Sequence, residues 1–249
     1  FRIIGRILMN NFKVLLVYPN QRFESLVPPS IAIFSALLKK HGHQVDLFDS
    51  TSYDLDADDY ISTTYKQNGS DYKGNAKNLL VLPHTSRSEI RRKHVKATTG
   101  LKSKVSEFQP DLITVTVTES TFLLAVQLID AIQPRNIPTI FGGVFPTFAP
   151  KRALSFPQVD MVCVGEGENC LVDLCKKMKN GENYQKVTNL WLKDKDGSII
   201  RNSITNPVDV NEVPRGDLDL FEDEQFYRPM YGKLYKMMPI ETSVIDKIL

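Results

Sequence analysis

The stretch that most restricts the fold runs from Pro138 to Glu168, PTIFGGVFPTFAPKRALSFPQVDMVCVGEGE. It holds two short apolar runs, Ile137–Phe141 (entered one residue upstream) and Met161–Val164, each closed by glycine. Neither run alternates apolar with polar, so each reads as a strand buried on both faces, the habit of parallel sheets. Gly142-Gly143 and Gly165-Glu166-Gly167-Glu168 then fall at carboxyl ends of strands. That is the edge where open parallel sheets take their ligands.

The rest of the chain repeats the pattern. Lys13–Pro19 (KVLLVYP) is a nearly continuous apolar run closed by Pro-Asn. Ser30 is positioned to cap a helix over Ile31–Lys40, which Gly42 stops. Gln44–Phe48 is the next strand. Ser50 to about His84 is polar and breaks the rhythm, with KNLLVLP as a possible extra strand. A stretch this long between elements reads as an insertion or lid. Ser88–Phe108 reads as a helix whose basic residues, Arg91, Arg92, Lys93, Lys96, Lys102 and Lys104, form a solvated face. Leu112–Val117 is a third strand and Phe122–Ile132 a helix, with Thr118–Thr121 as the capping turn between them. Glu166–Lys179 is a helix with an acidic first turn, which the dipole favours. Asn189–Leu192 and Ser198–Asn202, joined through Asp196-Gly197, predict an antiparallel hairpin. From Asn206 the chain is acidic and Pro-punctuated, like a linker. Five apolar strands with intervening helices predict a doubly wound, flavodoxin-like (Rossmann-like) α/β domain of order 2-1-3-4-5, extended by that hairpin.

Bulk properties exclude several roles. A net charge of +2 from 31 basic and 29 acidic residues offers no footprint for nucleic acid. No apolar run approaches the roughly 20 residues of a membrane span. Three cysteines, Cys163, Cys170 and Cys175, are too few and wrongly spaced for a disulfide framework or a zinc site, and a cytoplasmic protein is expected. Asp54, Asp56, Asp58 and Asp59 lack the glycine and terminal Glu of a calcium loop. No nucleophile elbow, HExxH or P-loop occurs, and no catalytic residue or metal ligand is assigned. A receiver domain shares the strand order, but the places of its acidic pair, third-strand Asp and fifth-strand Lys read Tyr18-Pro19-Asn20, Thr116-Val117-Thr118 and Val164-Gly165.

Glycines at a strand end let a backbone approach a ligand or turn tightly into a helix, and the pair alone leaves both readings open. Pro146-Thr147 and Pro150 stiffen the loop behind them, which favours binding. The carboxylates of Glu166 and Glu168 would repel phosphate but accept hydrogen bonds from hydroxyls or amides, or simply suit a helix N-terminus.

Taken in order, KVLLVYPN, PPS-IAIFSALLKKHGHQVDLFD, PDLITVTVTES, FGGVFPTFAP and VDMVCVGEGE resemble the N-terminal cobalamin-binding domain of B12-dependent radical S-adenosylmethionine enzymes. The resemblance covers about Lys13 to Lys179. It implies a corrin lying over the carboxyl edge, with its nucleotide tail beside the fourth and fifth strands. The cofactor-binding positions it suggests are Asn20 after the first strand and Thr116, Thr118, Glu119 and Ser120 at the end of the third. Gly142, Gly143, Pro146 and Thr147 follow the fourth strand, and Gly165, Glu166, Gly167 and Glu168 the fifth. The loop Asn20-Gln21-Arg22-Phe23-Glu24 lacks the DxHxxG cobalt-ligating motif, so no protein His ligand to cobalt is expected. In the family a run like MMPIETS continues into CxxxCxxC, which holds a 4Fe-4S cluster. Here Ser243 is followed by VIDKIL. The cluster and S-adenosylmethionine are therefore expected only in a missing radical domain, and the chain is expected to be a truncation or a stand-alone module. The implied organisation is an extension over 1–12, a cobalamin-binding domain over 13–181 with a 53–83 insertion capping the corrin, a hairpin over 182–205 and a linker over 206–249. The expected role is cofactor binding for a methyltransferase or related enzyme, with neither nucleic acid nor membrane as partner. A sugar-nucleotide or flavin domain, or a degenerate protein-interaction module, are the alternatives.

Overall fold

The computed structural model describes residues 11–20, 27–55, 93–134, 136–194, 196–206, 208–230 and 233–239. Expectations placed on Met9, Gln21–Glu24, Asp56–Arg92 (the remaining acidic cluster, the extra strand and the cap) and 240–249 lie outside the described residues. The main elements in chain order are β1 (Lys13–Tyr18), α1 (Pro29–Lys40), β2 (Gln44–Asp49), β3 (Tyr53–Asp54), β4 (Lys93–Lys96), α2 (Ala97–Phe108) and β5 (Leu112–Thr116). There follow α3 (Glu119–Ala131), β6 (Thr139–Gly142), the short helices α4 (Val144–Phe148) and α5 (Pro150–Leu154), β7 (Met161–Cys163) and α6 (Glu168–Asn180). The hairpin β8 (Leu190–Lys193) and β9 (Ile199–Arg201) and a separate ribbon of β10 (Tyr227–Met230) and β11 (Lys233–Lys236) complete them.

The main sheet has the order β2-β1-β5-β6-β7-β8-β9. Its first five strands are parallel, and β8 and β9 continue it as an antiparallel hairpin. Counted among themselves the parallel strands run 2-1-3-4-5, as the pattern of buried runs requires.

Both faces of the sheet are covered, which explains why the strands do not alternate. In β1, Val14 and Leu16 enter the core beneath α1 and α6. Leu15 and Val17 enter the core beneath α2, α3 and α5. All four are at most 1% exposed, and each such burial contributes roughly 1.5–3 kcal/mol. The amino ends are tied by carboxylates. Asp111 accepts from the Lys13 N–H at 2.8 Å, and Asp160 accepts from the Thr139 N–H at 2.8 Å and its hydroxyl at 3.0 Å.

Several local expectations give way to tertiary contacts. Helix α2 begins at Ala97, not Ser88, because Lys93–Lys96 pairs as a parallel strand with Tyr53–Asp54. The Lys93 ammonium lies 4.8 Å from the Tyr53 ring centroid. The Tyr53 ring also lies on Gly100, where a Cβ would come within 2.1 Å of it. A mid-helix glycine costs about 1 kcal/mol against alanine, and this seat explains its presence. Ser30 is inside α1, whose cap is Pro28 with proline at the first helical position. The stretch after Gly143 is two short helices, the second opened by Pro150. The segment expected as a linker packs against the domain: Phe221 and Phe226 are buried in the core under α1 and α6.

His43, just past α1, is buried against Phe12 in an edge contact, with Nδ1 unpartnered among the described residues. Burial, with Lys179 and His41 adding positive charge, pushes its pKa below the ordinary 6.5. The unfolded chain thus takes up the proton more readily. The stability from neutral His43 is fully present above pH 6.5 and is lost as pH falls from there toward the folded pKa. Denaturation midpoints measured from pH 7.5 down to 5.5 should fall, and His43→Phe should flatten that part of the profile.

Candidate functional site

The parallel strands deliver one set of side chains to the α1/α6 face at the carboxyl edge. Alternation puts Thr114 and Thr116 of β5, Ile140 and Gly142 of β6 and Cys163 of β7 on that face. At Gly142 the row has no side chain, and the space above becomes a cavity of about 710 Å³. Its walls are the first turns of α1, the Gly165–Glu168 turn, and a strap from Val208 to Leu218, with Met238 and Pro239 beyond.

The two glycines at the end of β6 do different work. A Cβ on Gly142 would meet only the Cys163 Cβ, at an ordinary 3.9 Å. Gly143 has φ +99°, and a Cβ there would stand 2.5 Å from the Val117 carbonyl oxygen. Gly143 therefore serves a close backbone approach between β6 and the end of β5, where Val117 N–H donates to Gly142 O at 2.9 Å. Its substitution would disturb the turn itself rather than plug the cavity. Gly167 lets the α6 N-terminus approach α1, since a Cβ there would lie 2.8 Å from the Phe34 ring.

The Gly165–Glu168 turn is held from three sides. Thr147 Oγ1 accepts from the Gly165 N–H at 3.1 Å. Asn189 Nδ2 donates to the Glu166 carbonyl at 2.9 Å. The Glu166 carboxylate accepts from the Val208 N–H at 2.5 Å, tying the strap to the turn. Glu168 is different: its Oε2 is buried without a hydrogen-bond partner among the described residues. Burial pushes this carboxyl above its ordinary range, with the Glu166 charge adding and backbone N–H groups opposing. Such an atom invites a ligand donor.

The structure thus brings Thr116, Gly142, Gly143, Gly165, Glu166, Gly167 and Glu168 to one cavity. Six expected positions do not line it. Asn20 is buried and joins the ends of β1 and β2: its N–H donates to Ser50 Oγ at 2.8 Å and its Nδ2 to Thr51 Oγ1 at 2.9 Å. Thr118, Glu119 and Ser120 form the start of α3, where the Thr118 N–H donates to Thr121 Oγ1 at 3.0 Å. Pro146 is buried in α4, and Thr147 acts through Gly165.

Sequence reasoning missed Thr114, Phe34 and Arg215, which line the cavity, and Asn189, which supports it. Thr114 and Asn189 carried a signal: a hydroxyl two residues before Thr116, and an Asn opening a strand. Phe34 and Arg215 carried none. The cysteines are buried thiols without disulfides. Hydrogen bonding with Cys163 and burial push the Cys170 thiol up, and burial does the same to Cys175. Among the described residues no group of His, Cys, Asp or Glu is arranged to hold a metal ion, and no helix is long and apolar enough to cross a membrane.

Residues 93–175 match the family model of the B12 binding domain. The 4'-phospho-dehydrooxetanocin synthase of Priestia megaterium is 28% identical over 128 residues, 48% of this chain and 17% of that protein. The apo structure of the cobalamin-dependent S-adenosylmethionine radical enzyme OxsB aligns over 84% of this chain and 24% of its own, with TM-score 0.57 and 21% identity. The radical S-adenosylmethionine methyltransferase TsrM of Kitasatospora setae, with cobalamin and a [4Fe-4S] cluster bound, aligns over 83% of this chain and 31% of its own, with TM-score 0.54 and 17% identity. The structural likenesses speak for the fold. The chain spans less than a third of the length of each of these relatives. The expected B12 binding domain is thus matched over residues 93–175, and the fold of most of the chain is that of these cobalamin-dependent S-adenosylmethionine radical enzymes.

Proposed function

We propose that this chain, carrying a B12 binding domain over residues 93–175, binds cobalamin by seating its nucleotide tail in the cavity between the sheet, α1 and α6. The observation that carries the reading is the bare backbone at Gly142. It opens a slot at the carboxyl edge, flanked by the Thr114 and Thr116 side chains and the Glu168 carboxyl, whose Oε2 is unpartnered among the described residues. A ligand with an apolar body and a few hydroxyl or amide donors suits such a lining.

In this reading Phe34 and Ile140 supply apolar walls and Glu168 accepts from a ligand donor. The strap fastened at Glu166 excludes water from one side. Bound cobalamin would supply a cobalt centre able to carry a methyl group or an electron. The chain is the cofactor-holding part of a larger radical S-adenosylmethionine enzyme of methyltransferase or related type. TsrM binds a [4Fe-4S] cluster and OxsB binds S-adenosylmethionine; here both would belong to a further domain.

The protein mixed with hydroxocobalamin and desalted should retain corrin absorbance near one equivalent. Retention of a flavin or nucleotide in its place, or of nothing, overturns the reading. The radical half is tested separately: three closely spaced cysteines are expected in the gene beyond Leu249, and their absence would leave binding intact while removing the parent enzyme.

A further inference from the structure

We propose that Arg215 and the first turn of α1 form an anion seat at the cavity, and that it takes the phosphodiester of the ligand's nucleotide tail. The proposal rests on the reading of the cavity as a cobalamin site and names the residue that would select for the tail. Among the described residues lining the cavity the acidic and basic side chains are Glu166, Glu168 and Arg215. Glu166 is engaged with the Val208 N–H. Arg215 is the one cation.

Its position is built rather than incidental. The next residue, Gly216, is pressed on α1, where a Cβ would stand 2.9 Å from the Ala32 Cβ. Asp217 then donates its N–H to the Ala32 carbonyl at 2.9 Å. Its carboxylate accepts from Ser35 Oγ and Lys39 Nζ, each at 2.5 Å. Burial opposes the Asp217 charge, but Lys39 and Ser35 outweigh it and hold this carboxyl below the ordinary range. Together with the Glu166–Val208 bond this fastens the strap on both sides of Arg215, which leaves its backbone fixed while its side chain remains exposed.

The start of α1 lines the same cavity through Pro29 and Ser30, and it is Ala32 of this helix that Gly216 and Asp217 touch. This helix of 12 residues has no acidic residue in its first turn and no side-chain cap. Its positive dipole end is therefore uncompensated and adds to the guanidinium. A guanidinium with an uncapped helix N-terminus on the same cavity is suited to a phosphodiester. A corrin and its amides give it nothing comparable to bind.

The test compares cobalamin with cobinamide, which lacks the phosphate, ribose and base. Affinities are measured for the wild-type chain, Arg215→Gln and Arg215→Lys at low and high ionic strength, with a thermal melt confirming each fold. Arg215→Gln should weaken cobalamin about tenfold or more, leave cobinamide within about twofold, and flatten the salt dependence. Arg215→Lys should fall between. Where cobinamide binds below detection, the salt dependence decides alone. Equal loss of both corrinoids, or unchanged cobalamin affinity and salt dependence in Arg215→Gln, overturns the seat. A wild-type chain that retains no corrinoid overturns the cobalamin reading and this proposal with it. Retention with an indifferent Arg215 overturns the seat alone.

Discussion

Gly142→Val is expected to leave the protein folded while removing most of its affinity for cobalamin. The fold tolerates the change because a Cβ at this strand position meets only Cys163, at 3.9 Å. Valine also favours a strand over glycine, by roughly 0.5–1 kcal/mol, so the melting temperature should hold or rise slightly. The rest of the side chain, however, enters the cavity. Filling space that a ligand needs costs about 1–3 kcal/mol, which is roughly a 5- to 150-fold loss in affinity. Gly143→Val is the contrast. Its φ of +99° and the 2.5 Å approach to Val117 O make any side chain there a backbone clash, so this variant should lose roughly 2–4 kcal/mol of stability. Desalting after incubation with hydroxocobalamin and a thermal melt separate the cases. A Gly142→Val protein that binds as well as wild type would show that the tail does not lie over β6.

Why these neighbours differ could not be read from the residues, since both are glycines at one strand end. The distinction lies in where Val117 comes to rest. The parallel core was legible because burial on both faces forces uninterrupted apolar runs: KVLLVY needs no partner to be recognised. The Lys93–Lys96 strand was not, because its reason is the Tyr53 ring some forty positions earlier, while its own residues suit a basic helix. Asn20 stands at the expected edge, yet its backbone N–H donates to Ser50 and its side-chain Nδ2 to Thr51, just past the end of β2. The segment from Val208 to Phe226 has a linker's composition, acidic and Pro-punctuated. What fastens it is a handful of contacts that leave no periodicity: Asp217 to α1, and Gln225 Nε2 to the half-buried Asp49 at 2.6 Å. Burial pushes the Asp49 carboxyl up, against the hydrogen bonds from Thr51 and Gln225. Cavity-lining Arg215 sits within that segment, so misreading its composition also hides a site residue.

Asn189→Ala should be among the most damaging single changes outside the apolar core. Asn189 is 2% exposed with φ +63°, a conformation that asparagine tolerates better than most residues. Its backbone joins two segments: the N–H donates to Ser203 O at 2.9 Å and the carbonyl accepts from Val164 N–H at 2.8 Å. Its side chain joins two more, with Nδ2 donating to Glu166 O at 2.9 Å and Oδ1 accepting from Thr205 N–H at 2.7 Å. Alanine removes these side-chain bonds together with a third from the Thr205 hydroxyl at 3.3 Å, strands their partly buried partners, and leaves a Cβ in the left-handed region without the amide that compensates it. The expected cost is about 2–4 kcal/mol. Denaturation followed by the fluorescence of Trp191, the single tryptophan and two residues away, reads it directly. Asn189→Gly separates the causes, since it loses the same bonds without the strain and should lie about 1 kcal/mol above alanine. Both variants release the Glu166 carbonyl, so both should also loosen the Gly165–Glu168 turn and weaken cobalamin binding, in proportion to the lost bonds rather than to the strain. If alanine weakens the fold but glycine binds as wild type, the turn is shaped by its own glycines and Thr147. If both lose affinity alike, the antiparallel hairpin appended to the sheet is what holds the cavity wall in place.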